Sequence, residues 1–119
     1  MIGFLKAIAL DGPNPVELAR FYQRVLGGSL DTSDPEWVEL DCGLGKAKLT
    51  FQRSTSYIPP TFPDPNGSQQ VHLDVQVSDL AEAEPLILEA GATKVEGQEH
   101  ETFRVYLDPV GHPFCLVLD

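Results

Sequence analysis

Basic residues and cysteines are scarce in this sequence of 119 residues. It has 8 lysine and arginine side chains against 18 aspartates and glutamates, for a formal net charge of −10. Nucleic-acid binding requires clustered lysine and arginine for phosphate contacts, so this balance argues against it. Cys42 and Cys115 are too few for a disulfide scaffold and lack the spacing of a metal motif, so we expect both to be reduced.

Long apolar runs are also missing. No stretch approaches the ~18 residues of a membrane span, and the first residues do not resemble a signal peptide. We therefore expect a cytoplasmic protein with no membrane partner. Hydrophobic residues make up 42% of the chain, which excludes an extended disordered chain. The length suits one domain, or two small halves that share a core.

A weak internal duplication is the most informative feature of the chain. Asn14 and Asp79 can each cap the start of a helix, and Gly27 and Gly91 can each end one. A proline-rich segment without helical or strand periodicity lies between the two halves. We predict a first module at residues 1–57, a linker at residues 58–68 and a second module at residues 69–119. Inside the second helix, Pro85 removes a hydrogen bond, so we predict that the regular helix starts near Pro85.

Most other segments alternate between apolar and polar residues, most clearly at 70–77. Such a period of two indicates a sheet with one apolar face, which helices cover. We predict an α+β fold in which two βαβββ modules form a curved mixed sheet around a cleft, with the helices on the outer face. The residues predicted to face the cleft and bind a ligand are Trp37, Glu39, Gln52, His72, Asp74, Tyr106 and Cys115.

A solvated outer face is the simpler interpretation of these residues, because antiparallel sheets often have one. The mixture of side chains favours a cleft. Trp37, Tyr106 and Cys115 suit an open surface poorly, whereas His72 and Gln52 can orient a ligand. Apolar walls with a few polar groups are typical of a small-molecule site.

Four short motifs follow one another along the chain: Phe21–Gly28, Val71–Leu80, Leu88–Ala92 and Leu107–Cys115. In their residues and order they resemble the vicinal oxygen chelate superfamily, and its glyoxalase-like domain branch in particular. That superfamily includes glyoxalase I, bleomycin-resistance proteins and extradiol dioxygenases. The resemblance covers nearly the whole chain and implies the duplicated βαβββ fold.

The resemblance also implies where a divalent ion would bind. Metal-using members hold one ion with His, Glu or Gln side chains from both modules. The position in the first strand is Ala7 here, which cannot bind metal. The remaining positions are Gln52, His72 and Cys115, the candidate ligands. Because this set is incomplete, we expect either no cofactor or one weakly held divalent ion.

Three functions remain open. The first is a bleomycin-resistance-like protein that binds a small molecule, such as a planar cation, in the cleft between the modules, without a tightly held metal. The second is a metal-dependent lyase, isomerase or dioxygenase of the superfamily, so whether the protein is an enzyme is left open. The third is a non-catalytic interaction module. Since a module of ~60 residues cannot bury a sufficient core alone, we also expect a homodimer.

Overall fold

A computed structural model describes residues 1–68 and 70–119. Gln69, at which the second predicted module begins, lies outside the described residues. The chain forms two compact units, Met1–Tyr57 and Ile58–Asp119, and the segment predicted as a linker belongs to the second of them. Among the described residues, no helix has the length and apolar character needed to cross a bilayer.

The first unit contains one helix and one four-stranded mixed sheet. Strand β1 pairs with β4 in parallel, and the other neighbours are antiparallel, in the order β1-β4-β3-β2. The elements are β1 (Ala7–Gly12), α1 (Pro15–Leu26), β2 (Ser29–Asp31), β3 (Trp37–Asp41) and β4 (Lys48–Arg53).

The second unit repeats this arrangement. Strand β5 pairs with β8 in parallel, and the sheet order is β5-β8-β7-β6. The elements are β5 (Leu73–Gln76), α2 (Leu80–Ala90), β6 (Thr93–Lys94), β7 (Phe103–Leu107) and β8 (Pro113–Val117). The prediction of an α+β fold with two βαβββ modules is confirmed.

Helix α1 is held on its sheet by apolar packing. The Asn14 side chain accepts a hydrogen bond from the backbone N–H of Glu17, as a helix cap should, and Gly27 ends the helix with a φ of 73°. Leu18, Phe21 and Tyr22 are buried on the helix face that packs on the sheet. The Tyr22 ring stacks on the Phe51 ring of β4, with 5.7 Å between centroids.

Helix α2 buries much less apolar surface, with only Leu80 and Ile87 buried among its residues. Asp79 caps it by accepting from the backbone N–H of Glu82 at 2.9 Å. The prediction that the regular helix starts near Pro85 is wrong, because the helix begins at Leu80 and continues through Pro85. The cap and the contacts of α2 with its sheet therefore outweigh the hydrogen bond that proline removes.

Strand β5 is shorter than the alternation at 70–77 predicts. It begins at Leu73, which pairs with Phe114 of β8. Gln70 has a φ of 67°, which is incompatible with an extended strand. Val71, expected on the apolar face, is 73% exposed.

Charged groups under α2 replace the apolar packing that it lacks. The Glu84 carboxylate accepts hydrogen bonds from Arg104 and, at 3.0 Å, from the Tyr106 hydroxyl. Its other oxygen lies 3.2 Å from the Lys94 Nζ, and Lys94 also contacts Glu99. Burial by itself would raise the pKa of Glu84, but the hydrogen bonds from Arg104, Lys94 and Tyr106 outweigh it and lower that pKa.

We predict that Glu84→Gln destabilises the protein by about 1–3 kcal/mol, measured by urea unfolding at neutral pH. The amide keeps the volume of the side chain but leaves Arg104 and Lys94 without their anion. Glu82→Gln on the same helix is the matched control. It should cost less, because the exposed Glu82 side chain loses only its interaction with the helix dipole.

The Glu84 effect should also depend on pH. Since the pKa of Glu84 is lower in the folded state, its stabilisation is fully present above the ordinary value of 4.5 and disappears as pH falls through the folded value. The difference in unfolding free energy between wild type and Glu84→Gln should therefore shrink in acid. A difference that stays constant from neutral pH into acid would contradict this role of the carboxylate.

Candidate functional site

One face of the second sheet gathers side chains from β5, β7 and β8. Parallel pairing sets Asp74 beside Cys115, and antiparallel pairing sets Val105 on the other side of Cys115. Residues paired in this way point to the same side of a sheet. Phe103 pairs with Val117 in the same manner. This face therefore combines a polar end on β5 with an apolar floor on β7 and β8.

The polar end is a cluster of three different donor groups. His72 precedes β5 by one residue and contacts Asp74, with 3.1 Å between Nε2 and Oδ1. A ligand atom from each of His72, Asp74 and Cys115 lies within 4.8 Å of the other two. The His72 and Asp74 side chains are exposed, whereas Cys115 is buried.

Cys115 is protonated at neutral pH. Burial raises the pKa of its thiol to about 11, and the neighbouring Asp74 carboxylate, which accepts a hydrogen bond from the thiol, adds to the rise. The thiolate is the nucleophilic form of cysteine. Without another partner, Cys115 is therefore a poor nucleophile and a weak hydrogen-bond donor.

A cavity of about 360 Å³ opens above this face. Its volume falls in the range of ~300–1,000 Å³ that is typical of small-molecule sites. The lining residues come from the sheet face, from the loop before β7 and from the proline-rich segment: Phe62, His72, Asp74, Gln98, Thr102, Phe103, Val105, Cys115 and Val117.

The proline-rich segment 58–68, which we call the strap, forms one wall of this cavity. Phe62 packs against the buried cluster of Val95, Val105 and Cys115. Pro59 passes so close to Gly111 that a Cβ at Gly111 would lie 2.8 Å from the Pro59 Cβ. The glycine in the turn before β8 therefore allows the strap to approach the sheet.

Tyr106 does not lie on this face, so its predicted place beside Cys115 is wrong. It pairs with Phe114 and Lys94, whose side chains point to the opposite side of the sheet. There it is fully buried and donates to Glu84 of α2, and burial raises its pKa to about 12. Strand β7 does alternate between polar and apolar residues. Its polar residues face the helix rather than the cleft, because Glu84 provides them with a partner.

The three predicted site residues of the first unit share one face of its sheet. Trp37 pairs with Gln52, and Glu39 pairs with Thr50, which points to the same side. Glu39 also contacts Lys48, with 3.4 Å between Oε2 and Nζ. Thr50 is buried, and its Oγ1 has no hydrogen-bond partner among the described residues. A ligand-binding role for Trp37, Glu39 and Gln52 stays a prediction.

Sequence reasoning missed most of the cavity lining. Phe62 falls in the predicted linker, although a lone aromatic in a proline-rich segment is a signal that the segment packs on a core. By alternation, a cleft-facing Tyr106 would have placed Phe103 and Val105 on the helix side of the sheet. The side on which Phe103 and Val105 lie depends on the ion pair between Arg104 of β7 and Glu84, which belongs to a different element, α2.

Residues 7–117 match the family described as the glyoxalase-like domain. The chain belongs to this family. With it, the chain belongs to the vicinal oxygen chelate superfamily, as the motifs suggested. Comparison with curated proteins finds no match.

Solved structures show the same fold for this glyoxalase-like protein. A glyoxalase/bleomycin resistance protein/dioxygenase family enzyme from Burkholderia phytofirmans has a TM-score of 0.73 at 22% identity, covering 98% of each chain. A glyoxalase/dioxygenase from Nostoc punctiforme has a TM-score of 0.69 at 19% identity, covering 98% of this chain and 90% of its own. Oxidase ChaP-H2 has a TM-score of 0.67 at 17% identity, covering 100% and 95%. At these identities the likeness concerns the fold alone.

The divalent ion implied by the family can be tested against the donors present. Ala7 offers no ligand atom, and Gln52 is an exposed residue of the first unit. In the second unit, His72 and Cys115 lie together, and Asp74 adds a carboxylate that is not among the predicted metal ligands. An imidazole, a carboxylate and a thiol are donors that suit a divalent transition metal ion, so the second unit fits such an ion.

We predict that Phe62→Ala destabilises the protein by about 1–2 kcal/mol in urea unfolding, because it removes apolar surface from the Val95, Val105 and Cys115 cluster. Ile58→Ala, in the same strap, is the control. Ile58 is 85% exposed, so its truncation should change stability by less than about 0.5 kcal/mol. Equal effects of the two substitutions would show that the strap does not pack as described.

Proposed function

We propose that this glyoxalase-like protein binds a small amphipathic molecule in the cavity of its second unit. The observation that carries the proposal is the division of the cavity into two chemically different ends. One end is built from apolar side chains of the sheet and the strap, and the other is the His72, Asp74 and Cys115 cluster.

The apolar end supports binding of a ring or a short hydrocarbon body. Phe62 and Phe103 supply aromatic surface, and Val105 and Val117 supply aliphatic surface. Burying apolar ligand surface contributes roughly 25 cal/mol per Å². Gln98 and Thr102, from the loop before β7, add hydrogen-bonding groups at the cavity margin.

The polar end disfavours anionic ligands. Among the described residues that line the cavity, one is acidic, Asp74, and none is a lysine or an arginine. The net charge of −10 acts in the same direction over longer range. A ligand with a cationic or hydrogen-donating head group therefore suits the Asp74 carboxylate, in agreement with the planar cation expected from the sequence.

A metal-dependent lyase, isomerase or dioxygenase is the second candidate, favoured by the three donor groups within 4.8 Å of one another. Relatives described as dioxygenase-family enzymes and as an oxidase share the fold. A bound divalent ion would supply Lewis-acid polarisation of substrate oxygens. The residues of the chain would then orient the substrate, with Phe62 and Phe103 excluding water from its apolar part.

We predict that aryl amines bind the metal-free protein and that aryl carboxylates of the same size bind at least about tenfold more weakly, since the carboxylate would approach Asp74. Methyl NMR spectra of protein treated with a chelator would measure this. The Val105 and Val117 methyl signals should shift with the amine, whereas those of Val38, buried in the first unit, should not.

Two variants make the ligand experiment specific. Asp74→Asn should reduce the preference for amines over carboxylates, and Glu96→Gln, at an exposed carboxylate outside the cavity lining, should leave it unchanged. If no aromatic probe moves the Val105 or Val117 signals, small-molecule binding in this cavity is excluded.

We also propose that the protein is a homodimer, as the small size of each module suggests. The surface of α2 supports this, because the large apolar side chain of Leu86 is 65% exposed. Exposed apolar surface on a helix is a feature of contacts between chains.

Sedimentation at micromolar concentration should therefore give about twice the monomer mass of 13.0 kDa. Leu86→Glu should shift the protein toward the monomer, because it places a charge in the proposed contact. Leu44→Glu, at a fully exposed leucine in a turn of the first unit, should not. A wild-type protein that sediments as a monomer would refute the dimer.

A further inference from the structure

We propose that the polar end of the second-unit cavity binds one thiophilic divalent cation, of the zinc type, through His72 Nε2, an Asp74 carboxylate oxygen and the Cys115 thiolate. This ligand set differs from the one implied by the family resemblance, which draws on both modules and includes Gln52. Here all three donors belong to the second unit. The proposal does not rest on the binding of an organic molecule.

The backbone places two of the three donors, Asp74 and Cys115, with little freedom. Asp74 and Cys115 are paired residues of the neighbouring parallel strands β5 and β8, so their side chains stand next to each other. His72 lies two residues before Asp74 on the same segment and already contacts it. A site built on paired strands is held more firmly than one built on loops.

The distances fit a tetrahedral ion. With bonds of ~2.0–2.3 Å to nitrogen, oxygen and sulfur, neighbouring ligand atoms in such a site lie roughly 3.3–3.8 Å apart. The contact between His72 Nε2 and Asp74 Oδ1 is 3.1 Å, and no pair in the cluster exceeds 4.8 Å. Rotamer adjustments of under about 1.5 Å would therefore bring all three atoms to an ion.

The fourth position of such a site would be open. The Asp74 side chain is 58% exposed and that of His72 is 36% exposed, and both line the cavity from which an ion or a water molecule can enter. Three protein ligands with one open position are the arrangement of catalytic rather than structural zinc sites.

The thiol decides which ion is preferred. Sulfur ligands favour zinc and similar ions, whereas magnesium and calcium take sites made of oxygen atoms. On binding, the Cys115 sulfur forms a bond to the ion, and its proton leaves to the buffer. The cluster is therefore expected to discriminate strongly between zinc and magnesium.

The test uses cobalt(II) as a spectroscopic substitute for zinc, added to the whole protein after treatment with a chelator and under reducing conditions. We expect one equivalent to bind and to give the near-ultraviolet charge-transfer band of a thiolate–cobalt bond. Zinc should displace the cobalt and abolish the band, and a large excess of magnesium should not.

Variants assign the band to this cluster. Cys115→Ser should abolish it, whereas Cys42→Ser, at the other cysteine of the chain, should leave it unchanged. Asp74→Asn and His72→Gln keep the thiol and alter exposed side chains, so they should fold even if Cys115→Ser does not. Each substitution should weaken zinc binding by at least about tenfold. Substituting a residue that only contacts a metal ligand already weakens metal binding by about that factor, so substituting a ligand should cost no less.

Three outcomes would overturn the proposal. Cobalt could fail to bind at micromolar concentration, it could bind without a thiolate band, or the band could persist in Cys115→Ser and vanish in Cys42→Ser. Aryl amine binding to the metal-free protein would survive any of these, so failure of the metal site and failure of the proposed ligand binding are distinguishable.

Discussion

The Glu84 carboxylate is the group on which the second module depends. Its hydrogen bonds with Arg104 and Tyr106 draw the polar side chains of β7 beneath α2. Since alternate residues of a strand point to opposite sides, Phe103 and Val105 must then turn to the other face. The apolar floor of the cavity is a direct consequence. A partly buried carboxylate on the helix side of the sheet thus determines the chemistry of the other face.

The two modules share a topology but hold their helices by different forces. In the first unit, Leu18, Phe21 and Tyr22 of α1 pack on an apolar sheet face. In the second, α2 buries only Leu80 and Ile87 and relies on the Glu84 network. Apolar packing leaves the polar residues of the first sheet on its far side, where Glu39 and Gln52 lie. In the second unit the Glu84 network keeps Arg104 and Tyr106 on the helix side of the sheet. The opposite side therefore carries apolar residues and forms the pocket.

Local signals predicted the elements well. The helix caps at Asn14 and Asp79 act within three residues of their partners, so the sequence alone reveals them. Strand alternation likewise depends only on neighbouring residues. These signals, together with the repeated order, were sufficient for the α+β class and the two βαβββ modules.

Features that depend on distant partners could not be predicted in the same way. The side on which Tyr106 lies is set by Glu84 in another element, and β5 begins at Leu73, which pairs with Phe114 of its neighbour β8. Similarly, Phe62 became part of the cavity only because Gly111 leaves room for the strap. Each of these results from a contact between segments far apart in the chain.

The polar end of the cavity brings three donor groups together within one module. Position 7 carries an alanine, so the first strand offers no metal ligand. Asp74, in contrast, occupies the strand position that pairs with Cys115 and follows His72 by two residues, and the donor atoms of all three lie within 4.8 Å of one another. The Asp74 carboxylate at that position joins the His72 imidazole and the Cys115 thiol, so that three donor groups converge. The same carboxylate gives the cavity its charge, so the proposed metal site and the proposed preference for cationic ligands both depend on one side chain.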